Sequence, residues 1–179
     1  MVLAKGLGAG YAPLGAFLAP AALVDPLAET TGFVVSHSYD ANPIACAAGS
    51  AVLDEVVDRD LIGNAARMGT RIRAGLDEIA ARCPLVGDVR GRGLLLAIEL
   101  VSDLETLARF SADRDPGAVV LRHGRDHGLL LYSRRQNAGQ FGDWLLIAPP
   151  LVIDEAACDE LLAGLSASLD DAASELLDG

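Results

Sequence analysis

The alternation of apolar and polar positions predicts a chain in which helices and short strands are mixed. Apolar residues recur at the helical spacing of three or four positions in the segments 43–57, 61–83 and 154–177, and a further helix is predicted at 117–127. Short apolar runs bounded by glycine, proline or polar residues predict strands at 2–4, 15–18, 85–90, 94–101, 129–132 and 144–147. The predicted fold class is therefore α/β.

Capping residues mark where two of the longer helices begin. Asn42 precedes Pro43, the combination expected of an N-cap followed by the first helical position, and Asp60 is expected to cap the next helix. The first of these helices is apolar on every side, as in a helix packed from several directions, whereas the second has a charged face. This change in polarity predicts a domain boundary that separates residues 1–58 from residues 59–179.

The predicted strand at 2–4 opens the chain and leads directly into a glycine-rich segment. The sequence offers it no obvious neighbouring strand, and an unpaired sheet edge is unfavourable. We therefore expect the first domain to be the end of a larger one, with further sequence upstream of Met1.

Composition and charge limit the classes of partner. The chain has 179 residues, 51% of them hydrophobic and 22% charged, with a formal net charge of -11. Such an acidic chain is not expected to bind nucleic acid or an anionic membrane. Its apolar runs are far shorter than the roughly 20 residues that span a bilayer, and its first residues lack the pattern of a signal peptide. We expect a cytoplasmic protein with small-molecule or protein partners.

The cysteines and histidines do not form a recognisable metal or disulfide pattern. The three cysteines are odd in number, widely spaced and set among apolar residues: Cys46, Cys83 and Cys158. Buried structural thiols are the expected outcome. The three histidines are expected in turns or at the surface, since no two have metal-ligand spacing with a third partner: His37, His123 and His127. No metal site is predicted.

The chain has one lysine and thirteen arginines, and a glycine-rich segment follows the lysine immediately. Lys5 begins the segment Lys-Gly-Leu-Gly-Ala-Gly. Arginine is permanently protonated, whereas a desolvated lysine can lose its proton and attack a carbonyl carbon. A chemical role for Lys5 is one interpretation; a genome that favours arginine codons is the other, and composition alone does not choose between them.

Four motifs occur in the order and spacing of one enzyme family. They are the lysine motif at 5–16, His-Ser-Tyr-Asp-Ala-Asn-Pro at 37–43, Val-Arg-Gly-Arg-Gly-Leu at 89–94, and Gly-Asp-Trp at 142–144 followed by Ala-Pro-Pro-Leu at 148–151. Together they resemble the class III, omega-amino-acid type aminotransferases, which use pyridoxal phosphate and have the fold-type I architecture. The resemblance implies that the chain contains the end of the large domain and the whole small carboxy-terminal α/β domain.

The resemblance implies roles for two residues of the first domain. Lys5 matches the catalytic lysine, which forms a Schiff base with pyridoxal 5'-phosphate and then moves the proton on the substrate carbon. Ser38 matches a hydroxyl, more often that of threonine, which contacts the cofactor phosphate of the neighbouring subunit. A role for Ser38 limited to capping its turn stays open. A phosphate site shared between subunits implies a homodimer.

A carboxylate-binding arginine is expected because the planar guanidinium pairs with both carboxylate oxygens. Arg134 and Arg135 lie near the position of the mobile arginine of the omega-amino-acid enzymes; Arg134 is the substrate-binding candidate, and a solvated loop charge is the alternative. Ornithine-type and GABA-type relatives carry an arginine two residues before the Ala-Pro-Pro-Leu motif, where this chain has Leu146. The resemblance therefore favours the pyruvate-linked enzymes.

Members of that family are more than twice as long as this chain. Their amino-terminal part supplies the aspartate that pairs with the pyridine nitrogen, the aromatic residue that stacks on the ring and most phosphate contacts, so we expect little or no transamination from these 179 residues alone. Two hypotheses follow. The chain is part of an aminotransferase for an amine or omega-amino acid and a 2-oxo acid, active once completed by its other half, or it is a non-catalytic remnant or assembly module with the small-domain fold.

Overall fold

Two units make up the chain in the computed structural model, which describes residues 1–32 and 36–177. The first unit extends from Met1 to Leu61 and the second begins at Ile62. This division lies close to the change in polarity seen in the sequence. The assignment of residues 1–58 to a larger cofactor domain and of residues 59–179 to a small domain stays a prediction.

The first strand has a partner within the chain. β1 (Val2–Leu3) pairs antiparallel with β2 (Ala16–Phe17). The expectation of an unpaired strand is therefore wrong. The glycine-rich segment between the two strands contains a 3-10 helix at Lys5–Gly8 and reverses the chain direction, which brings the strands side by side.

A helix that the apolar pattern did not predict follows β2. α1 (Ala21–Thr31) contains Pro26, and every one of its residues is exposed. Proline normally interrupts a helix, and α1 has no buried stripe opposite a polar face. Its sequence therefore contains a residue that is unfavourable in a helix and lacks the apolar stripe from which a helix is predicted.

α2 (Pro43–Asp58) begins where the capping residues predict. The side-chain oxygen of Asn42 accepts hydrogen bonds from the backbone N–H groups of Ile44 and Ala45, both at 3.1 Å. These bonds satisfy two of the N–H groups that have no partner inside the helix.

The first unit buries very little surface. Among the described residues before Leu61, only Gly8 and Gly49 are buried. Ile44 and Val57 of α2 are 79% and 75% exposed, so the expectation of a helix packed from several directions is wrong for this chain. The apolar character of α2 is real, but the described residues do not provide the surfaces that would cover it.

A four-stranded antiparallel sheet forms the centre of the second unit. Its strands are, in spatial order, β3 (Val86–Arg92), β4 (Leu95–Leu100), β6 (Asp143–Ile147) and β5 (Tyr132–Ser133). Three of these strands lie where the apolar runs predict them. β5 begins only at the last residue of the predicted strand 129–132.

Three helices accompany this sheet: α3 (Leu61–Ala80), α4 (Pro116–Asp126) and α5 (Glu155–Leu177). Each lies where the sequence predicts a helix. Asp115 and Asp154 cap α4 and α5, accepting hydrogen bonds from the Ala118 and Ala157 N–H groups at 3.0 and 2.9 Å. No helix in residues 1–32 and 36–177 is both long and apolar enough to cross a membrane.

One cluster of buried apolar side chains joins the three helices to one face of the sheet. Alternate residues of β4, namely Leu96, Ile98 and Leu100, are buried in it. Ile72 of α3 and Leu165 of α5 have no exposed surface. The period of two in β4 is that of a sheet covered on one face, and the burial of this apolar surface stabilises the unit.

The β3–β4 turn explains one of the sequence motifs. Gly91 has a φ of +125°, and a Cβ at this position would collide with the carbonyl oxygen of Leu95. Arg90, beside it, donates a hydrogen bond from Nε to Asp88 at 2.6 Å and another to Glu99 of β4. The Val-Arg-Gly-Arg-Gly-Leu motif therefore forms a tight turn with a cross-strand ion pair.

The cysteines differ in burial. Cys83 and Cys158 are buried, and burial raises the pKa of both thiols. Cys46 is exposed, so the expectation of a buried thiol is wrong there. The reason is the exposure of α2, which carries Cys46 in its first turn.

The exposure of α1 and α2 has a measurable consequence. We expect their backbone amides to exchange with deuterium at least about 100-fold faster than those at the centre of α3, because opening the first unit exposes little additional apolar surface. Mass spectrometry of peptides from 21–32, 43–58 and 65–78 measures the difference, with α3 as the internal reference. Equal protection of α2 and α3 would show that α2 has a buried face.

Candidate cofactor and substrate sites

Lys5 lies in the first turn after β1. Its φ is +57°, in the left-handed region where a residue with a Cβ costs about 1 kcal/mol. Backbone hydrogen bonds close this turn, from the Leu7 N–H to the Ala4 carbonyl at 3.2 Å and from the Ala9 N–H to the Gly6 carbonyl at 3.0 Å. The Lys5 side chain is exposed and, within the described residues, its amine makes no hydrogen bond or ion pair. A strained backbone that presents a free amine is consistent with a functional residue.

Ser38 lies in a turn that its neighbours close. The His37 N–H donates to the Asp40 carboxylate at 2.8 Å, and the Asp40 N–H donates to the His37 carbonyl at 2.9 Å. The Asn42 N–H donates to the Tyr39 carbonyl at 3.2 Å. The Ser38 hydroxyl is exposed and makes no hydrogen bond to any residue that the structure describes. In this geometry Asp40 closes the turn, and the hydroxyl is free to donate to a ligand.

An open cavity of about 660 Å³ lies in the first unit. Its lining combines Tyr11 of the lysine motif with Tyr39 of the turn and Cys46 of α2. Neither Lys5 nor Ser38 lines it. The structure therefore brings the two motifs together around one cavity but does not place the two predicted residues inside it. Tyr11 and Tyr39 were not among the predicted site residues, and their signal in the sequence is their position within these motifs.

Two adjacent arginines have opposite environments. Arg134 is exposed and makes no hydrogen bond or ion pair to the described part of the chain. The side chain of Arg135 is only 9% exposed, and it donates to the carbonyl oxygens of Ser111 at 2.9 Å and Ala138 at 3.2 Å. Of the two, Arg134 is the one that offers its guanidinium to a ligand.

Asp143, at the start of β6, is a buried acid. Its side chain is 1% exposed, and one carboxylate oxygen lies 3.3 Å from Nε of Arg135. Within the described residues neither carboxylate oxygen makes a hydrogen bond. Burial raises the pKa of Asp143, the charge of Arg135 opposes this rise, and Asp115 adds to it. Asp143 was not among the predicted site residues; its signal in the sequence is an acidic residue at the start of an apolar strand.

His123 of α4 and His127, the residue that follows this helix, lie one turn apart and face two acids of α5. His123 Nε2 is 3.0 Å from Glu175, and His127 Nε2 is 2.7 Å from Asp171. Hydrogen bonds from Arg122 and then His123 lower the pKa of Glu175. These contacts join α4 to α5, and no group of three metal-ligating side chains is found in residues 1–32 and 36–177.

Leu146 lies in an apolar row of the sheet. It is opposite Ala97 on one side and Tyr132 on the other. Arg90, which is opposite Ala97 on β3, is already engaged by two acids. The row around Leu146 therefore suits an apolar group better than a carboxylate, which would need an uncommitted positive partner.

The first unit offers groups that fit pyridoxal phosphate. The cofactor needs an amine for its aldehyde carbon and hydrogen-bond donors for its phosphate. The amine of Lys5 and the hydroxyl of Ser38 are both exposed and uncommitted within the described residues.

The chain matches known proteins over most of its length. The Aminotransferase class-III family profile matches residues 1–169. An uncharacterized aminotransferase of Bacillus subtilis is 34% identical over 165 residues, 90% of this chain and 37% of that protein. The putrescine–pyruvate aminotransferase of Pseudomonas aeruginosa is 31% identical over 178 residues, 99% of this chain and 37% of that protein.

A solved structure agrees with these matches. An amine transaminase from an uncultivated Pseudomonas species, in its PLP-bound form, is similar with a TM-score of 0.84 and 32% identity. The similarity covers 96% of this chain and 38% of that one. This chain thus spans little more than a third of the length of the relatives it matches.

Proposed function

The chain belongs to the class III aminotransferases, and on that basis we propose that it supplies the catalytic lysine of an enzyme that moves an amino group between an amine or omega-amino acid and a 2-oxo acid. The observation that carries the proposal is Lys5, the single lysine, whose amine is exposed in a left-handed turn and has no partner among residues 1–32 and 36–177. The proposal applies to the chain completed by the part of the family that it does not span, as a homodimer or with a separate half.

Lys5 has two tasks in this proposal. When bound, pyridoxal phosphate supplies the electron sink that makes a substrate C–H bond acidic. The amine of Lys5 would hold the cofactor at its aldehyde carbon, and the same amine would be the base and acid that moves the proton at the substrate carbon. Arginine could do neither, because it stays protonated.

Ser38 has a binding task. Its exposed hydroxyl is a hydrogen-bond donor, and a phosphate dianion is a strong acceptor. The resemblance assigns this contact to the cofactor of a neighbouring subunit, which is why we propose a homodimer. Asp40 holds the turn and leaves Ser38 available.

The substrate proposal rests on Arg134 and Leu146. The exposed guanidinium of Arg134 is suited to the carboxylate of a 2-oxo acid, while the row of Leu146, Ala97 and Tyr132 offers apolar surface. One relative is named a putrescine–pyruvate aminotransferase and another a taurine–pyruvate aminotransferase. We therefore propose pyruvate or a similar 2-oxo acid as acceptor and an amine without an α-carboxylate as donor.

A non-catalytic role is the second candidate. It is favoured by a first unit that buries only Gly8 and Gly49 among its described residues before Leu61. In that case the second unit, which has its own core, would serve in assembly.

Covalent labelling separates these two candidates. The chain is incubated with pyridoxal phosphate, reduced with borohydride and mapped by mass spectrometry. We expect a saturable adduct on Lys5 and its complete loss in Lys5→Arg, which keeps the charge without a nucleophilic amine. The amine of Met1, hydrogen-bonded to the Leu18 carbonyl at 2.6 Å, is the internal control in both chains. Ser38→Ala should raise the concentration for half-saturation about tenfold.

The alternative outcome is equally clear. Weak labelling that does not saturate, or that is shared equally between Lys5 and Met1, means that this chain does not form a cofactor site. The second candidate would then hold for the chain alone.

A further inference from the structure

The loop that carries Arg134 has a strained backbone. Four residues between Arg134 and β6 have positive φ angles: Asn137, Ala138, Gly139 and Gly142. Two of them carry a side chain, and an L-residue in the left-handed region costs free energy. Such a conformation persists where the surrounding structure imposes it. Contacts must therefore hold residues 134–142 in place.

Arg135 supplies contacts of this kind. Its NH2 group donates to the carbonyl of Ala138, one of the strained residues, at 3.2 Å and to that of Ser111 at 2.9 Å. Arg109 reaches the same loop by donating to the carbonyl of Gln140. One buried guanidinium thus connects the loop to itself and to the segment around residue 111.

Asp143 holds Arg135 from the other side. Its backbone is part of the sheet, opposite Leu100 of β4. Its buried carboxylate lies 3.3 Å from Nε of Arg135, and the described residues offer its oxygens no hydrogen bond. Removing either charge would leave the other buried without a partner, which is strongly unfavourable. The two side chains therefore act as a unit, the Arg135–Asp143 pair.

We propose that Asp143, acting through Arg135, is a positioning residue that holds loop 134–142 so that Arg134 is presented to the carboxylate of the 2-oxo acid. The inference rests on the proposed function, since it assigns a task to Arg134. It explains why one of two adjacent arginines is buried and the other exposed. It also gives the acid of the Gly-Asp-Trp motif a role.

A fixed loop matters for binding because a free one must be ordered by the ligand. Ordering a long side chain and its loop on binding lowers affinity. The Arg135–Asp143 pair orders the loop before the ligand binds. Asp143 anchors Arg135 to the sheet, and Arg134 is the adjacent residue in the sequence. Without the pair, the Arg134 guanidinium is still present, but it is no longer held in a defined position.

Chemical labelling of arginine tests the inference on this chain. Phenylglyoxal is added with increasing pyruvate, and the rates at Arg134 and Arg135 are read separately by mass spectrometry. In the unmodified chain Arg134 should react, Arg135 should be protected, and pyruvate should slow the reaction at Arg134. In Asp143→Asn the rate at Arg135 should rise at least about tenfold, and half-protection of Arg134 should need about tenfold more pyruvate.

Two further variants separate positioning from stability. Asp143→Asn leaves Arg135 buried without its partner and destabilises the unit, whereas replacing a buried ion pair with apolar residues of similar size is often neutral. The double variant Arg135→Met with Asp143→Leu should therefore keep the urea midpoint near that of the unmodified chain and still need about tenfold more pyruvate. Asp54→Asn, which removes the charge of an exposed acid on α2, is the control and should change neither reading.

The results separate the positioning role of Asp143 from the carboxylate-binding role of Arg134. Unchanged labelling of Arg135 in Asp143→Asn, or normal pyruvate protection in the double variant, would overturn the positioning role. If pyruvate fails to protect Arg134 even in the unmodified chain, this chain alone does not form the carboxylate site, and the task assigned to the pair falls with it. The labelling of Arg135 would then still show whether Asp143 restrains it.

Discussion

Gly69→Ala is expected to destabilise the second unit by more than about 3 kcal/mol. Gly69 is buried in the middle of α3, where a Cβ would lie 2.5 Å from both the carbonyl carbon and the carbonyl oxygen of Gly93 and 2.6 Å from its Cα. These are backbone atoms of the turn between β3 and β4, so no side-chain rotation relieves the collision. α3 would have to move away from the sheet, which opens the core around Ile72.

Urea unfolding measures this effect, with the fluorescence of the single tryptophan, Trp144 of β6, as the probe of the sheet. Gly75→Ala is the matched control in the same helix, because the atoms nearest to its new Cβ are side-chain carbons of Leu162, which can rotate. Alanine also favours a helix over glycine by about 1 kcal/mol, so this variant should stay within about 1 kcal/mol of the unmodified chain. Similar losses in the two variants would refute the backbone collision.

Leu165→Ala should cost about 3 to 4 kcal/mol. Leu165 has no exposed surface and lies in the cluster that joins α5 to the sheet. Its truncation removes apolar contacts and leaves a cavity among residues held on several elements, so the core cannot fully close over it. Because a small domain has a total stability of about 5 to 15 kcal/mol, the variant would lose a large share of it.

Leu130→Ala is the control for this truncation. Leu130 is 95% exposed, and the same chemical change there should alter the free energy of unfolding by less than about 0.5 kcal/mol. Both variants are compared by urea unfolding of the full chain. A loss at Leu165 no larger than that at Leu130 would mean that α5 does not contribute to the core.

Much of the second unit could be predicted from the sequence. α5 begins directly after Asp154, its capping residue, and β3 and β4 flank the Gly-Arg-Gly turn. These elements are specified by local signals, namely capping side chains, apolar periodicity and glycines at turns. The family was also recognisable, because its motifs are short and lie in a fixed order.

The first unit was harder to predict. The pairing of β1 with β2 and the helix α1 were missed, and α2 was expected to be buried. Pairing depends on how the intervening loop turns, and burial depends on which surfaces are present. Neither is contained in the periodicity of a single segment.

Some residues of the candidate site could likewise be predicted from the sequence, and others could not. From the sequence alone, Lys5 stands out because it is the single lysine and begins a glycine-rich motif, and Ser38 follows from the order of the motifs. The sequence favoured Arg134 as the candidate through the resemblance, but the burial of Arg135 could not be predicted, because two adjacent arginines have the same chemistry and differ only in their surroundings.

The sequence by itself determined the class of elements, the family and the residue types available for chemistry, since these depend on local pattern and side-chain identity. The tertiary structure alone decided that Arg135 is buried against Asp143, eight positions along the chain at the start of β6, and that His123 of α4 faces Glu175 of α5. The physical reason is that charge, burial and pairing are set by neighbours in space, which only the packing of distant segments brings together.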